Sequence, residues 1–151
     1  MKIQQLSIFA ENKPGHLAAC CRLLAENAVD LRALTVADTQ HFGILRILVK
    51  DADQARAVLE KAGHVVKATE VLAVEVADQP GGLVRVLGAL EGSPLNIEYA
   101  YAAPFGHNGK AVLIFRFNDP DAALQRLRGA GIAVLSSKEF LGSQAGSAGS
   151  E

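Results

Sequence analysis

There is no tryptophan in these 151 residues, a single methionine, and only 5% of the chain is aromatic. Half of the residues are hydrophobic, so any core falls to Leu, Val, Ile and Ala. Neither sign of charge is in excess: 15 Lys and Arg stand against 16 Asp and Glu. That excludes the basic footprint of a nucleic-acid binder. No apolar run approaches the roughly 20 residues of a membrane-spanning helix. The opening Met1-Lys2-Ile3-Gln4-Gln5 lacks the architecture of a signal peptide, so the expected location is the cytoplasm. Cysteine is limited to the adjacent Cys20 and Cys21. Neighbours on a helix point about 100° apart and cannot form a disulfide or clip a metal with normal geometry. Both are expected as small core hydrophobes, reduced in a cytosolic setting.

Catalytic signatures are missing too. There is no glycine-rich phosphate loop. No His or carboxylate is placed by motif to activate a nucleophile. His16, His41, His64 and His107 show no metal-ligand spacing; loop or surface positions are expected, with only His16 near a ligand. The expectation is therefore no enzyme, no cofactor and no metal.

What is present is a repeat. Asn12-Lys13-Pro14-Gly15-His16-Leu17 is echoed 66 positions later, Pro14 against Pro80, by Asp78-Gln79-Pro80-Gly81-Gly82-Leu83. The offset holds through Leu24/Leu90, Asp30/Asn96 and Leu31/Ile97. After an insertion of two it resumes at 68 with Asp51/Asp119, Leu59/Leu127 and Gly63/Gly131. A fixed period of this size means two copies of one folding unit. Each is near the size at which a lone core is marginal. Domains are expected at 1–69 and 70–140, with 141–151 a flexible Gly/Ser-rich tail.

Each copy reads strand, helix, strand, strand, helix, strand. Strands are expected at 3–10, 29–37, 43–50 and 65–69, and again at 71–77, 95–103, 110–118 and 132–136. The first helices begin at the Pro-Gly turns, with apolar stripes Leu17, Cys21, Leu24 and Leu83, Leu87, Leu90. The second helices are capped by Asp51 and Asp119 and end near Gly63 and Gly131. With right-handed crossovers this gives an α+β fold, two ferredoxin-like βαββαβ modules with antiparallel sheets and helices on one face. The middle strands are apolar on both sides: Leu45, Ile47 and Val49 alternate with Ile44 and Leu48, and Leu113, Phe115 and Phe117 with Val112 and Ile114. A solvated antiparallel strand alternates with polar residues, so the open face is expected to meet another subunit in a homo-oligomer.

The turn between first strand and first helix is the best candidate site. Pro in the first turn fixes φ, and the neighbouring Gly lets the backbone come close to a ligand. Free N–H groups at the helix start attract a carboxylate. The Asn12 amide can accept from an ammonium group or donate to a carboxylate. The alternative is that Asn12 and Asp78 merely cap their helices.

Two copies of this layout resemble ACT domains, small regulatory modules that bind metabolites. The phrases Glu11-Asn12-Lys13-Pro14-Gly15-His16-Leu17 and Val76-Ala77-Asp78-Gln79-Pro80-Gly81-Gly82-Leu83 carry the resemblance. The segments 33–39 and 42–46 are similar to stand-alone bacterial tandem-ACT proteins. The resemblance implies an amino-acid effector held between the turn of one module and the second strand of its neighbour. One such pocket would take Asn12, Lys13, Pro14, Gly15, His16 and Leu17 with Asn96 and Ile97; the other would take Asp78, Gly81, Gly82 and Leu83 with Asp30 and Leu31. The serine-sensing type carries a His two residues before the loop Asn or Asp; Ala10 and Val76 stand there instead. Two amides, Asn12 and Asn96, suit a zwitterion better than two carboxylates, Asp78 and Asp30. Gly81-Gly82 argues the other way, since paired glycines permit closer approach.

The expected protein is a sensor or regulator binding a free amino acid. An alternative is a regulatory subunit acting on a partner metabolic enzyme without a free ligand. A ferredoxin-like RNA-binding module is the other rival. It needs exposed aromatics on adjacent strands, and Phe115 and Phe117 share the parity of core-facing Leu113.

Overall fold

The computed structural model describes residues 1–11, 13–38 and 42–142; Asn12, His41 and the tail beyond Gly142 lie outside the described residues. The chain divides into two compact units, a first of residues 4–70 and a second of residues 1–3 with the chain from Val71 onward.

The first unit holds β1 (Ile3–Glu11), α1 (His16–Glu26), β2 (Leu31–Asp38), β3 (Phe42–Val49), α2 (Ala52–Lys61) and the opening of β4 (Val65–Val76). Its strand order is β2-β3-β1-β4. The second holds the rest of β4, α3 (Gly82–Leu90), β5 (Ile97–Ala102), β6 (Ala111–Phe117), α4 (Pro120–Gly129), β7 (Val134–Leu135) and α5 (Ser137–Leu141). Here β5 pairs β6, and β4 pairs both β6 and β7. Both are antiparallel sheets with helices on one face, as the repeat predicts.

Each core lies between sheet and helices. In the first unit Leu6, Ile8, Leu45, Ile47, Val49 and Val66 meet Cys20, Leu24, Ala55 and Leu59. In the second Leu72, Val74, Val76, Phe115, Phe117 and Val134 meet Val86, Leu90, Ala123, Leu127 and Ile132. Each long helix contributes a buried pair four residues apart, on one face of a 3.6-residue period. These pairs preserve the offsets of 66 and 68: Cys20-Leu24 against Val86-Leu90, and Ala55-Leu59 against Ala123-Leu127. The stripe differs from the expected one. Leu17, Leu83 and Leu87 are exposed, Cys21 is half-buried, and the buried thiol is Cys20.

The caps form as the sequence dictates. Asp51 accepts from the Gln54 N–H at 3.0 Å, and Asp119 from the Ala122 N–H at 3.1 Å, with Pro120 in the first turn. The second strands carry the same irregularity: register shifts between Leu31 and Ala33 and between Ile97 and Tyr99 put bulges at Arg32 and Glu98, 66 positions apart.

Three features depart from the expected layout. The separate strands 65–69 and 71–77 are one 12-residue strand, β4, because no Gly or Pro interrupts it. The last strand shrinks to Val134–Leu135. Beyond it α5 forms, capped by Ser136, which accepts from the Glu139 N–H at 3.0 Å. Its Phe140 is buried and stacks on Phe105 with centroids 5.3 Å apart. On the face away from the helices, Leu48, Val112 and Ile114 are 0–1% exposed.

Candidate functional site

The two Pro-Gly turns are built alike. His16 N–H donates to Lys13 C=O at 3.3 Å, and Gly82 N–H to Gln79 C=O at 3.0 Å. Pro14 and Pro80 take the second place of a type II turn. The third place needs positive φ, supplied by Gly15 (φ 90°, ψ −12°) and Gly81 (φ 87°, ψ −5°). Each strand closes onto its turn with a further bond, Lys13 N–H to Glu11 C=O at 2.8 Å and Gln79 N–H to Ala77 C=O at 2.9 Å. Glycine is the helix N-cap in both, so the cap residue has no side chain to satisfy the first free N–H groups. Asp78 makes no side-chain hydrogen bond among the described residues, and the capping role considered for it is not seen.

The copies diverge at one position. A Cβ on Gly82 would lie 2.0 Å from the Ala77 carbonyl oxygen and 3.2 Å from Val76 Cγ1. The second helix start is pressed onto its own strand, and Gly82 is buried. The first copy has His16 in this place, half-buried, with its ring beside a cleft of about 90 Å³.

This cleft lies wholly within the first unit. The buried Ile8, Cys20 and Leu45 form its base, Leu17, Val36 and Ile44 its apolar walls, and Glu11, Lys13 and His16 its polar rim. Of this wall Leu17 was expected from sequence, and Val36 and Ile44 were not. Val36 and Ile44 arrive through the pairing of Val36 with Leu45 and of Ala10 with Gly43. Lys13 pairs with Glu11 on the rim. The hydrogen bond and charge of that ammonium hold the Glu11 carboxyl below its usual range. Burial, then the neighbouring Cys21, push the Cys20 thiol up, so it is a poor nucleophile. Both ring nitrogens of His64 lie 3.8 Å from Cys20 Sγ.

The remaining candidates lie elsewhere in their own units. β1 and β2 run parallel on either side of β3, so the turn and the start of β2 are at opposite ends: Ala10 and Asp38 both face Gly43, whereas Leu31 faces Val49. Asp30 instead borders an open cleft with Lys50, Asp51 and Asp53. Likewise Asn96 sits where the Asn118 side chain accepts from its N–H at 2.9 Å, away from Gly81–Leu83. Within a unit, Asp30-Leu31 and Asn96-Ile97 are not brought to the turn; they can serve one only from another module. Asp78 lines a more open cleft of about 320 Å³ with Ala102, Phe105, Lys110 and Val112.

Sequence reasoning also missed Glu75. Its nearly buried carboxylate receives His107 Nδ1 at 2.5 Å, and Lys110 Nζ lies 4.0 Å away. The signal was an acidic residue inside the apolar run Val71–Val76. Phe115 and Phe117 are 1% and 0% exposed, so they offer no stacking platform for RNA. No helix among the described residues is long and apolar enough to cross a membrane, and no cluster of three or more His, Cys, Asp or Glu among them is placed to hold a metal ion.

A family model for an ACT domain pair matches residues 1–142. Among solved structures, protein BT0572 from Bacteroides thetaiotaomicron superposes with a TM-score of 0.86 at 34% identity, over 93% of this chain and 96% of that one. The ligand-free regulatory subunit of aspartate kinase from Thermus thermophilus superposes with a TM-score of 0.58 at 18% identity, over 84% of this chain and 91% of that one, a likeness of fold. No curated protein matches the sequence. The turn made twice at a fixed offset is thus the mark of a known architecture, and the chain belongs to the ACT domain-pair family.

Proposed function

We propose that this protein is a non-enzymatic sensor of a free amino acid, which it binds at the first Pro-Gly turn. ACT domains are regulatory, ligand-binding modules, and the chain carries two. The observation that supports the first turn is the cleft beside it. A mostly apolar concavity with a few convergent polar groups is the usual form of a small-molecule site. Ile8, Val36 and Leu45 suit a short aliphatic side chain. The free N–H groups at the start of α1 and the Lys13 ammonium suit a carboxylate, and Glu11 suits an ammonium group. The Asn12 amide adds a donor or acceptor for either end.

A thermal-shift screen against the twenty amino acids is the first test, since a ligand that binds only the folded state raises the melting temperature by mass action. A stabilising ligand with a short aliphatic side chain is expected. Calorimetry then locates it. Asn12→Ala is expected to weaken binding by about 1–3 kcal/mol, the cost of leaving a polar partner unpaired. Asn96→Ala is expected to do the same, its strand supplied by a neighbouring module, and Asp78→Ala to matter less. Loss in Asp78→Ala alone would assign the ligand to the second turn; no response to any amino acid would reject the sensor.

A further inference from the structure

At three matching places the first copy has Phe9, Ala19 and Phe42, and the second has Glu75, Arg85 and Lys110. Both copies run strand, helix, strand, strand, helix in the same order. The shared fold therefore does not ask for these three charges. In the second unit all three border one cavity.

The cavity lies where a ladder ends. β7 pairs with β4 through Leu135 opposite Ala73 and Val134 opposite Val74, and the Glu75 N–H donates to the Ala133 C=O at 3.0 Å. Beyond that bond, Val76 and Ala77 on one side and Gly131 and Ile132 on the other border a space of about 70 Å³. A single water needs roughly 10–15 Å³ of such space, so a small ion has room. Arg85 reaches this wall from α3. Its Nη2 lies 4.0 Å from the place a Cβ on Gly131 would take.

The charges around the cavity do not cancel. Glu75 is nearly buried, and its Oε1 is engaged by His107 Nδ1 at 2.5 Å. Lys110 Nζ stands 4.0 Å from Oε2, too far for a hydrogen bond. The Arg85 guanidinium makes no hydrogen bond or ion pair among the described residues. Asp78 borders the neighbouring open cleft together with Lys110, without an ion pair to it. Two cations with unused donors thus face one small space, against a single carboxylate that His107 already holds.

We infer that this cavity binds a small oxyanion, a phosphate group either free or carried by a small metabolite, between the Arg85 guanidinium and the Lys110 ammonium. The Arg fork suits two oxygens at once, and Lys adds a point charge. The site lies between the end of β4 and the chain leading into β7, apart from the cleft of the first turn.

Phosphate stabilises many folds simply by exclusion from their surface, so binding is read directly. Calorimetric titration of the full chain with inorganic phosphate, at constant ionic strength, is expected to saturate at one ion per chain. Arg85→Gln, on an exposed face of α3, and Lys110→Gln are each expected to raise the dissociation constant roughly ten- to a hundredfold, the worth of one charge-assisted hydrogen bond. Their circular dichroism spectra are expected to be unchanged. Lys13→Gln, at the first turn, is expected to leave phosphate binding as it was. Glycerol phosphate tells the two sources apart: tighter binding than inorganic phosphate assigns a phosphorylated metabolite, and equal or weaker binding the free ion. No saturable binding of either probe, full affinity in Arg85→Gln or Lys110→Gln, or loss in Lys13→Gln overturns the inference. No amino acid enters these titrations, so the anion site stands or falls apart from the sensor.

Discussion

His16 and Gly82 occupy one place in two copies of a unit, and the exchange of a side chain for a hydrogen decides which turn stays open. At Gly82 the obstacle to a Cβ is a backbone carbonyl, which cannot swing aside as a flexible side chain would. Gly82→Ala is expected to cost about 1–3 kcal/mol, the range for forcing extra volume into a filled space. Gly88, on the same helix, has nothing within 4 Å of its would-be Cβ. Gly88→Ala is expected to stabilise by about 0.5–1 kcal/mol, the helix preference of Ala over Gly. Urea denaturation of the two variants reads the contrast, and a neutral Gly82→Ala would mean that the second turn is not closed as described. The cysteines make a second pair. Cys20 is 2% exposed with its thiol pushed up by burial, whereas Cys21 is half-buried. The thiolate is the reacting form, so brief iodoacetamide treatment at mildly alkaline pH is expected to label Cys21 first, as peptide mass spectrometry would show. Faster labelling at Cys20 would mean that the cleft opens onto its sulfur.

Elements with strong local signals were legible in the sequence. Asp51 and Asp119 announce their helices, and the Pro-Gly turns announce theirs, because cap and turn geometry depends on a few neighbouring residues. The buried stripe of α1 was harder. Between Leu17 and Leu24 only Arg22 is polar or charged, so several stripes satisfy a helical period and packing alone selects Cys20 and Leu24. The cleft was half legible for the same reason. Its rim lies in the turn, while Val36 and Ile44 come from strands joined to it only by pairing. The helix α5 escaped because five residues cannot display a period, although Ser136 and Glu139 form the spacing of a capping box. Ser136→Ala is expected to cost about 1 kcal/mol. Phe140→Ala is expected to cost about 3–5 kcal/mol, since a fully buried ring stacked on Phe105 would leave a cavity. Thermal melts of the two variants rank them; equal effects would show that α5 is held by its cap and not by its aromatic anchor.

At the scale of the whole molecule the repeat alone predicts two equivalent ligand sites. The turns share their hydrogen bonds and their left-handed glycines to within a few degrees, so equivalence would follow if the turn were the site. On the function proposed, binding needs more than the turn. The first copy adds a polar rim of Glu11, Lys13 and His16 and an apolar wall of Leu17, Val36 and Ile44. At the matching places the second copy has Ala77, Gln79, Gly82, Leu83, Ala102 and Val112. Both charges of the rim are gone, and the helix start is packed against Ala77. Its open cleft keeps Asp78 and Lys110 but takes no wall from α3. A zwitterion entering there would meet Asp78 and Lys110 in an open cleft with no apolar wall from α3, so little burial would offset the hydration it loses. Titration calorimetry is therefore expected to give one amino acid bound per chain, not two. His16→Gly, which gives the first turn the glycine of the second at that one position, is expected to weaken that binding, and Gln79→Lys with Ala77→Glu to leave the second turn empty while Gly82 keeps it closed. A stoichiometry of two in the unaltered chain would show that the shared turn geometry suffices for binding and that the residues around it do not decide.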